Sequence, residues 1–515
     1  MLPSLTLPRR STIAFSPFWP RWLSPQPRQD CAFGQKARAS RRKTFASAFA
    51  RTAVFPLLFL AGALFAPAAH AQYFALGKGA YPLEFYDIDF SYLADPANRT
   101  GQLDALHYIP IGIGSEAYLS LGGEFRQQFW SWNNAGHGLR APLQNTYDLE
   151  RIVGDIYLHF DRHLAVFFQL ARYDAFNRIS PSTTDQDRGR IQQGFIELKE
   201  PVGPADVTAR LGRQEIFLGS GRFVWINDSS NVRTTQDGVR LRARFPNEAT
   251  LDLAVARPVT SVLDAFSDWD THSGVFGAAY ASQVLLPNQL HLDEYYFYRR
   301  NIGAQYVGLT GNEDRHTVGG RVWGAFGPLL YDGDFAYQFG TFNNKAISAF
   351  GASTRVLYSF ESLPWNPGLQ LQTSYFSGGG GPNSKTIGTF SAPFPRPTML
   401  NYAGLETLEN LIEVYPAFIV SPTPTFAFRF GPEILWRASR YDAVYVSRAT
   451  PLPKTMTPTD TAAYIGTNLV ATAQWRLAPN ITLFGEYLHE LAGPAITLAG
   501  GHGADVGVIQ IDFNF

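Results

Sequence analysis

The chain has 515 residues with 43 basic and 43 acidic side chains, but residues 1–71 contain ten of the basic residues and one acid. The rest of the chain therefore has 33 basic and 42 acidic residues and no cysteine. This excludes a disulfide scaffold, a cysteine-ligated metal and a nucleic-acid partner, since nucleic-acid binding needs a basic face. The chain is too apolar and aromatic for disorder, and after residue 71 no run reaches the roughly 20 apolar residues of a membrane helix.

The first part of the chain has the layout of a secretory signal peptide. Residues 41–43 are Arg-Arg-Lys, the apolar run Ala53–Ala66 follows, and Ala69-His70-Ala71 forms a small-x-small cleavage pattern. A membrane anchor is the alternative, but the run is short and proline interrupts it. We therefore predict that residues 1–71 are removed on export from the cytoplasm. Residues 1–40 lie ahead of the basic segment and indicate a start codon assigned too far upstream.

After residue 107 the dominant pattern is a two-residue alternation of apolar and polar side chains, the period of a β-strand. In the segment 238–245, three arginines (Arg240, Arg242 and Arg244) share the face opposite the apolar residues. The last segment, 507–515, alternates in the same way and ends with Phe515 on its apolar face. Roughly 16 to 18 such segments follow one another, and no long stretch has the spacing of an amphipathic helix.

Two kinds of architecture produce this alternation: a soluble β-sandwich or propeller, and a barrel with one face toward lipid and the other toward a wet lumen. The secretion signal, the aromatic residues at strand ends such as 295–298, and the terminal Phe515 favour the barrel. No repeat of fixed blade length supports a propeller. We predict an all-β protein, a transmembrane antiparallel β-barrel of about 18 strands (16–18) over residues 108–515 in the bacterial outer membrane, preceded by a periplasmic lead-in at 72–107.

The connections between the predicted strands are of two kinds. Some are short turns, such as 287–288 and 479–480, and others are long and polar or rich in glycine and proline. Short turns at one end and long loops at the other are typical of outer-membrane barrels, whose long loops face the outside. The longest of these loops, 377–403, contains a glycine tract at 378–381. We interpret it as a surface loop, with a loop folded into the lumen as the alternative.

The sequence contains no pattern typical of catalysis or metal binding. Of the nine histidines after residue 71, only His159 and His163 are four positions apart, and on a strand this spacing separates them by roughly 13 Å, too far to share a metal. There is neither a Gly-x-Ser-x-Gly elbow nor a glycine-rich phosphate loop ending in Lys-Ser/Thr. We therefore predict no catalytic residue, no metal site and no cofactor.

Arginines on the polar faces of the predicted strands carry the functional signal. A charge that faces lipid costs about 2–4 kcal/mol near the bilayer midplane, so Arg126 and the group Arg240, Arg242 and Arg244 are expected to point into the lumen. Acids such as Glu124 accompany them. Either such charges pair with each other and brace the barrel, or the arginines form a basic constriction, the usual device of an anion pore.

Several motifs resemble those of the alginate export family. Gly212-Arg213-Gln214-Glu215 and Asp237-Gly238-Val239-Arg240 are similar to the GRQE…DGVR core of the family, and residues 118–126 are similar to its first strand. Stretches in 388–416, at 436–445 and at 464–466 continue the resemblance. It covers nearly the whole chain after the predicted signal peptide.

The resemblance implies an outer-membrane barrel, of eighteen strands in the founding alginate exporter, that exports an anionic polysaccharide passively through an arginine-rich pore. The alternation places Arg213 beside Leu211 on the apolar face, so a lumen position for Arg213 requires a bulge or an early end of that strand. Together with the arginine group above, the resemblance implies pore-lining arginines and acids that hold them. The pore candidates are Arg126, Arg213, Arg233, Arg240, Arg242, Arg244 and Arg437, and the supporting acids are Glu124, Glu215 and Asp237.

We therefore predict a monomeric outer-membrane channel, without enzymatic activity, that exports an alginate-like polyuronate. Its expected partners are the membrane lipid, the anionic polysaccharide and a periplasmic export scaffold. Uptake of small anionic molecules on the same barrel is the first alternative, and inward-folded loops without a periplasmic plug would favour it. A non-transporting barrel is the second, and a lumen packed shut with neutralised charge pairs would favour that.

Overall fold

The computed structural model describes residues 85–114, 116–270, 274–446, 450–456 and 462–515. The predicted signal peptide and the first part of the predicted lead-in lie outside the described residues. Among the residues that are described, no helix combines the length and the apolar character needed to cross a bilayer.

The described chain is built from eighteen long strands that follow one another in sequence. The first nine are β1 (Tyr118–Asn133), β2 (Gln144–His159), β3 (Leu164–Phe176), β4 (Asp187–Val202), β5 (Ala205–Gln214), β6 (Gln236–Arg244), β7 (Thr250–Thr260), β8 (Gly274–Leu286) and β9 (Leu290–Tyr306). The second nine are β10 (Leu309–Phe326), β11 (Leu329–Phe342), β12 (Lys345–Ser359), β13 (Gly368–Phe376), β14 (Leu411–Thr423), β15 (Phe426–Arg437), β16 (Tyr464–Ala478), β17 (Ile481–Ala492) and β18 (Asp505–Asn514).

Each strand pairs antiparallel with the next, and the first strand pairs with the last, so the sheet closes into a barrel. At the seam between β1 and β18, Phe125 lies opposite Phe513 and Asn133 opposite Asp505. The backbone of Phe515 adds two further hydrogen bonds to Gly123. Closure removes the unpaired strand edges that lipid could not solvate. The predicted 18-stranded antiparallel barrel is confirmed.

The alternation in the sequence becomes an inside and an outside of the barrel. In β2, Ile152 and Ile156 are exposed on the outer surface, whereas Asp155 and Tyr157 are buried inside. The same division holds in β18, where Ile509 is 59% exposed and Gln510 is buried. An apolar outer surface over a polar interior is the pattern expected when lipid, rather than water, covers the outside. The alternation does not predict one strand, β8, because glycine and alanine fill much of it.

The short and the long connections between strands lie mostly at opposite ends of the barrel. One end has short turns, including 203–204, 327–328 and 479–480, and it also holds the start of β1 and the end of β18. Most connections at the other end are longer. The end with the long loops is the extracellular one, by the rule for outer-membrane barrels.

Residues ahead of β1 fold into the periplasmic mouth of the barrel. Short helical turns span Phe85–Asp87 and Ser91–Ala94, and Asp104–His107 forms one turn of α-helix. Tyr86 packs edge-on against Phe167 and Phe195, with ring centroids 5.2 Å apart in both pairs. The described end of the predicted lead-in is therefore part of the barrel interior.

Two long extracellular connections fold into the lumen. Residues 215–235, between β5 and β6, are named here the first inward loop, and residues 377–410, between β13 and β14, the second inward loop. They meet through a backbone bridge between Val224 and Phe394, and the Phe394 carbonyl accepts the Trp225 N–H at 2.9 Å. The interpretation of 377–403 as a surface loop is wrong, because Phe390 and Leu400 pack into the barrel core and are fully buried.

Candidate functional site: the charged lumen

The first inward loop is held to the barrel wall by a buried network of three arginines and three acids. Arg126 bonds through Nε to Asp512 at 2.5 Å and through Nη2 to Asp228 on the loop at 3.2 Å. Arg233, also on the loop, pairs with Glu124 and, at 2.6 Å, with Asp228. We call this set the arginine network: Glu124, Arg126, Arg151, Asp228, Arg233 and Asp512.

Arg151 is the centre of this network, and the sequence analysis missed it. Its Nη1 lies 3.0 Å from Glu124 and 2.8 Å from Asp228, and its remaining N–H groups donate to backbone carbonyls of the first inward loop, including that of Ser230 at 2.6 Å. The side chain is fully buried and faces inward from β2. Alternation in the sequence puts Arg151 on the face of the strand opposite to Ile152. Its partner Asp228 lies in a loop, whose position the strand pattern does not predict.

The predicted group of three arginines on β6 does share the inner face, near the periplasmic end. Asp252 on the neighbouring strand accepts two hydrogen bonds from Arg240, at 2.7 and 2.8 Å, and one from Arg242 at 2.9 Å. Arg242 also lies 3.5 Å from Asp87 of the lead-in. Arg244 is exposed at the end of the strand. One carboxylate thus neutralises much of the charge of this group.

The structure corrects the expected placement of Arg213 and Asp237, which do not face the lumen. Strands β5 and β6 pair without a bulge up to Gln214 and Gln236, and Arg213 lies opposite Asp237. Both share the outward side with Leu211, which is 60% exposed, and they form a two-pronged ion pair at 2.8 and 3.0 Å. The strand therefore continues past Arg213 in regular alternation. Arg213 and Asp237 neutralise each other's charge on the outer side of the barrel.

The two other predicted residues anchor loops at the extracellular end. Glu215 follows β5, is buried, and accepts a hydrogen bond from Gln192 at 2.6 Å. Arg437 ends β15, and its guanidinium donates to the backbone carbonyls of Thr455, Asp442 and Ala462. Arg437 thus holds the connection between β15 and β16 rather than lining an open passage.

A second group of arginines lies deeper in the lumen, where the two inward loops meet the wall. Arg222 of the first inward loop pairs with Asp332 at 3.1 Å and Asp334 at 3.0 Å. Arg396 of the second inward loop lies over the ring of Trp225, at 4.3 Å from its centroid. The charges of Arg222, Arg396 and Arg429 all act on Arg355.

Arg396 and Arg429 differ from the other lumen arginines in their partners. Within the part of the chain that the structure describes, neither forms an ion pair with a carboxylate. Arg429 contacts Thr472 at 3.3 Å and lies 5.4 Å from the Tyr415 ring centroid, and Arg396 donates to the Ser220 carbonyl at 3.3 Å. Burial lowers the pKa of Arg396 to about 10 against the opposing charge of Asp228, with Arg222 adding to the effect of burial, so Arg396 stays charged at neutral pH. Both side chains remain half-buried.

A row of buried carboxylates lies on β14, β15 and β17, and we call it the carboxylate wall. Unlike the acids of the arginine network, these carboxylates form no ion pair with an arginine among the described residues. Glu433 accepts from Asn401 at 2.8 Å and from Asn468 at 2.9 Å, while Glu486 accepts the backbone N–H of Ala403 at 2.9 Å. Glu413 is bound by neutral partners in the same way. Neutral donors, two of them on the second inward loop, hold these acids. The carboxylate wall consists of Glu413, Glu433 and Glu486.

Cavities of similar size lie at the two ends of the lumen. The periplasmic one is about 590 Å³ and is lined by Arg210, by the three arginines of β6 and by Asp87. The extracellular one is about 600 Å³ and is lined by Trp225, Arg233, Arg299 and Glu409. Burial raises the pKa of Glu409 to about 7, against a hydrogen bond from Thr407 and the charge of Arg299. The two inward loops lie at the centre of the lumen, and side chains of both line the extracellular cavity.

Comparison with solved structures confirms the fold. A BenF-like porin from Pseudomonas fluorescens Pf-5 matches with a TM-score of 0.52 at 9% identity, over 79% of this chain and 99% of its own. OccAB1 of Acinetobacter baumannii matches with a TM-score of 0.51 at 12% identity over the same shares. OccK8 (OprE) of Pseudomonas aeruginosa matches with a TM-score of 0.50 at 8% identity, over 77% of this chain and 98% of its own. At these identities the likeness shows the barrel fold alone.

Sequence comparison identifies the family. No curated protein matches the chain. The family model described as alginate export matches residues 117–507, which is most of the chain and all of the barrel except the end of its last strand. Both the family and the fold are those of transport channels in the bacterial outer membrane. The chain belongs to the alginate export family and is an outer-membrane β-barrel channel.

Proposed function

We propose that this channel exports an anionic polysaccharide, an alginate-like polyuronate, by passive diffusion through an arginine-lined lumen. It acts as a monomer surrounded by outer-membrane lipid, receives the polymer from a periplasmic export scaffold, and has no catalytic group or cofactor. Membership of the alginate export family supports the substrate class.

The observation that carries the proposal is the pair Arg396 and Arg429. Both project into the lumen, and within the described residues neither forms an ion pair with a carboxylate. A cation without a partner in a low-dielectric passage attracts a passing carboxylate more strongly than a paired one does. Trp225 beneath Arg396 adds an aromatic face of the kind that packs on apolar faces of sugar rings.

The acids along the lumen have a complementary role in this proposal. Conduction requires that each site bind the solute strongly enough to admit it and weakly enough to release it. The acids that pair with lumen arginines, such as those of the arginine network, weaken the attraction of those arginines for a polyuronate. The polymer is therefore expected to pass from one arginine to the next without being trapped at any of them.

Uptake of small anionic molecules is the second candidate, and the inward loops favour it. The first and second inward loops fill the centre of the barrel and leave separate cavities of about 590 and 600 Å³ at its ends. Spaces of this size hold a sugar unit or a small aromatic acid. Export of a polymer therefore requires at least one inward loop to move aside.

The test is the block of single-channel current in a planar bilayer by oligomers of alginate, with a neutral oligosaccharide of equal length as the control. We expect oligoalginate, and not the neutral sugar, to block the channel at low concentration. In the variant Arg396→Gln/Arg429→Gln the blocking concentration should rise at least about tenfold, because two contacts between charged groups are lost.

Other results lead to other functions. A channel that conducts small anions and ignores oligoalginate would reject the polymer and support uptake. A well-folded barrel without any conductance would support the third hypothesis, a structural barrel whose lumen is closed by its own charge pairs.

A further inference from the structure

Three side chains from distant parts of the sequence meet at the extracellular end of the barrel. His137 comes from the connection 134–143, Glu406 from the second inward loop and Glu490 from β17, 353 positions after His137. All three are almost completely buried. One ligand atom of each lies within 4.8 Å of the others.

The hydrogen bonds fix how these side chains are oriented. His137 Nδ1 lies 2.7 Å from Glu490 Oε1, and the other oxygen of Glu490 accepts the backbone N–H of Ala504 at 3.0 Å. Asn468 donates to Glu406 Oε2 at 3.3 Å. A histidine whose Nδ1–H is held by a carboxylate presents the lone pair of Nε2 on the other side of the ring, the arrangement found around protein-bound metals.

Several buried polar atoms of this cluster have no hydrogen-bond partner among the described residues. They include His137 Nε2 and Glu406 Oε1, which are 3.8 Å apart, and also Asn468 Oδ1 and Glu433 Oε1 next to them. Three of these four atoms are oxygens that can accept but not donate in the charged or amide form. A fully buried cluster with this excess of acceptors is satisfied by a metal ion or by protons.

We propose that His137, Glu406 and Glu490 bind a divalent transition-metal ion of the Zn²⁺ type. Imidazole nitrogen and carboxylate oxygen are both zinc ligands, at roughly 2.0–2.2 Å from the ion. Two such ligands on one tetrahedral ion lie roughly 3–4 Å apart, which agrees with the 3.8 Å between His137 Nε2 and Glu406 Oε1. Glu490 orients the imidazole, because the oxygen that holds Nδ1 lies on the side of the ring away from Nε2.

The competing occupant of this cluster is a proton. Although burial alone lowers the pKa of His137, the charge and the hydrogen bond of Glu490 raise it to about 9. A protonated His137 would then form an ion pair with Glu490 and leave Glu406 to be held by Asn468. The 3.8 Å separation is too long for a hydrogen bond from Nε2 to Glu406, whereas a metal ion spans it.

Bound metal would attach the second inward loop to a neighbouring loop and to the wall. Glu406 lies on that loop only a few residues after Ala403, whose backbone N–H bonds to Glu486 of the carboxylate wall. The ion would therefore fix the part of the loop that crosses the lumen. This inference stands apart from the identity of the transported solute.

The experiment is a Zn²⁺ titration of the refolded, chelator-stripped barrel by calorimetry, together with Zn²⁺-dependent thermal unfolding. We expect one Zn²⁺ per chain and a rise in the unfolding temperature. Glu406→Gln and His137→Asn should each weaken binding by about 100-fold or more, beyond the effect of losing an outer-shell group. Asparagine is chosen because His137 has φ +59°, a backbone region that asparagine tolerates.

His502→Gln is the matched control, because His502 is an exposed histidine whose backbone N–H bonds to the His137 carbonyl at 2.8 Å. It should bind Zn²⁺ like the wild type. Co²⁺ substitution gives a second readout, since its visible absorption reports nitrogen and oxygen ligands at the same site. Absence of saturable binding in the wild type, or equal binding in all the variants, would overturn the metal site and leave a proton at His137.

Discussion

The two inward loops are held inside the same barrel by opposite means. The first inward loop is tied to the wall by the arginine network, in which three arginines face three acids. The second inward loop rests on the carboxylate wall, where neutral amides and backbone N–H groups hold the acids. The first arrangement holds its acids with ion pairs, and the second holds its acids with hydrogen bonds from neutral donors.

This difference shows that arginine content alone does not define an anion path. Arg126, Arg151 and Arg233 form ion pairs with acids and hold the first inward loop to the barrel wall. Arg396 and Arg429, which the motifs did not single out, are the ones that we propose attract the solute. In this proposal, one set of lumen residues holds the shape of the lumen and another contacts the solute.

The largest effect is expected from breaking the arginine network at its centre. Arg151→Met leaves Glu124 and Asp228 with one cation fewer in a buried site, and removal of one partner from a buried pair costs about 3–5 kcal/mol. We expect a lower unfolding temperature and faster proteolysis of the first inward loop in the folded barrel. Arg300→Met, which removes an exposed arginine from β9, is the control. Equal stability of the two variants would show that the network does not hold the loop.

A smaller effect is expected from the extracellular cavity when the pH changes. The pKa of Glu409 in the folded chain, about 7, is above its usual value of 4.5, so the group is neutral in acid and becomes charged as the pH rises through 7. Its contribution to stability is accordingly present at low pH and lost above pH 7. Arg299 and Arg315 lie near it, and Arg233 also lines this cavity.

Anion selectivity should therefore be higher at pH 6 than at pH 8, and Glu409→Gln should reduce that change. Reversal potentials at the two pH values measure it. If the variant and the wild type change equally, then Glu409 does not face the conducting path.

The smallest effect is expected from the carboxylate wall. Glu433→Gln keeps an oxygen to accept the hydrogen bonds of Asn401 and Asn468 and removes a charge that no arginine or lysine of the described chain pairs with. We expect the free energy of unfolding to change by less than about 1 kcal/mol, since the neutral hydrogen bonds persist. Chemical denaturation measures this, and a loss as large as that of Arg151→Met would place a hidden cation at the wall.

Strand periodicity was sufficient to predict the barrel, because lipid and water impose opposite polarity on alternate residues. It also predicted the inward direction of Arg126 and Arg240, and it was right in placing Arg213 beside Leu211 where the family motif suggested the lumen. It missed β8, since residues such as Gly277 and Ala278 give no contrast between faces. Glycine and alanine are compatible with a β-strand but do not produce the alternation of apolar and polar residues that predicts one.

Contacts made by the loops lay beyond the reach of the sequence. Nothing in the spacing of Arg151 and Asp228, or of His137 and Glu490, indicates that they meet, because the fold of two loops brings them together. The glycine tract at 378–381 predicted a surface loop. The structure shows instead that apolar residues after the tract pack into the core of the barrel. The alternation predicts which way the side chain of a strand residue points. The side-chain direction of a loop residue depends on tertiary packing, which the spacing of residues does not show.

The most direct test of the account is the reversal potential of the reconstituted channel in a KCl gradient. The variants are Arg396→Gln/Arg429→Gln and, as a control with the same loss of charge, Arg213→Gln/Arg300→Gln on the outer surface. The account predicts an anion-selective wild type, a marked shift toward cation selectivity in the first variant and none in the second. Equal shifts in both, or no shift in a well-folded Arg396→Gln/Arg429→Gln barrel, would contradict the claim that unpaired lumen arginines form the anion path.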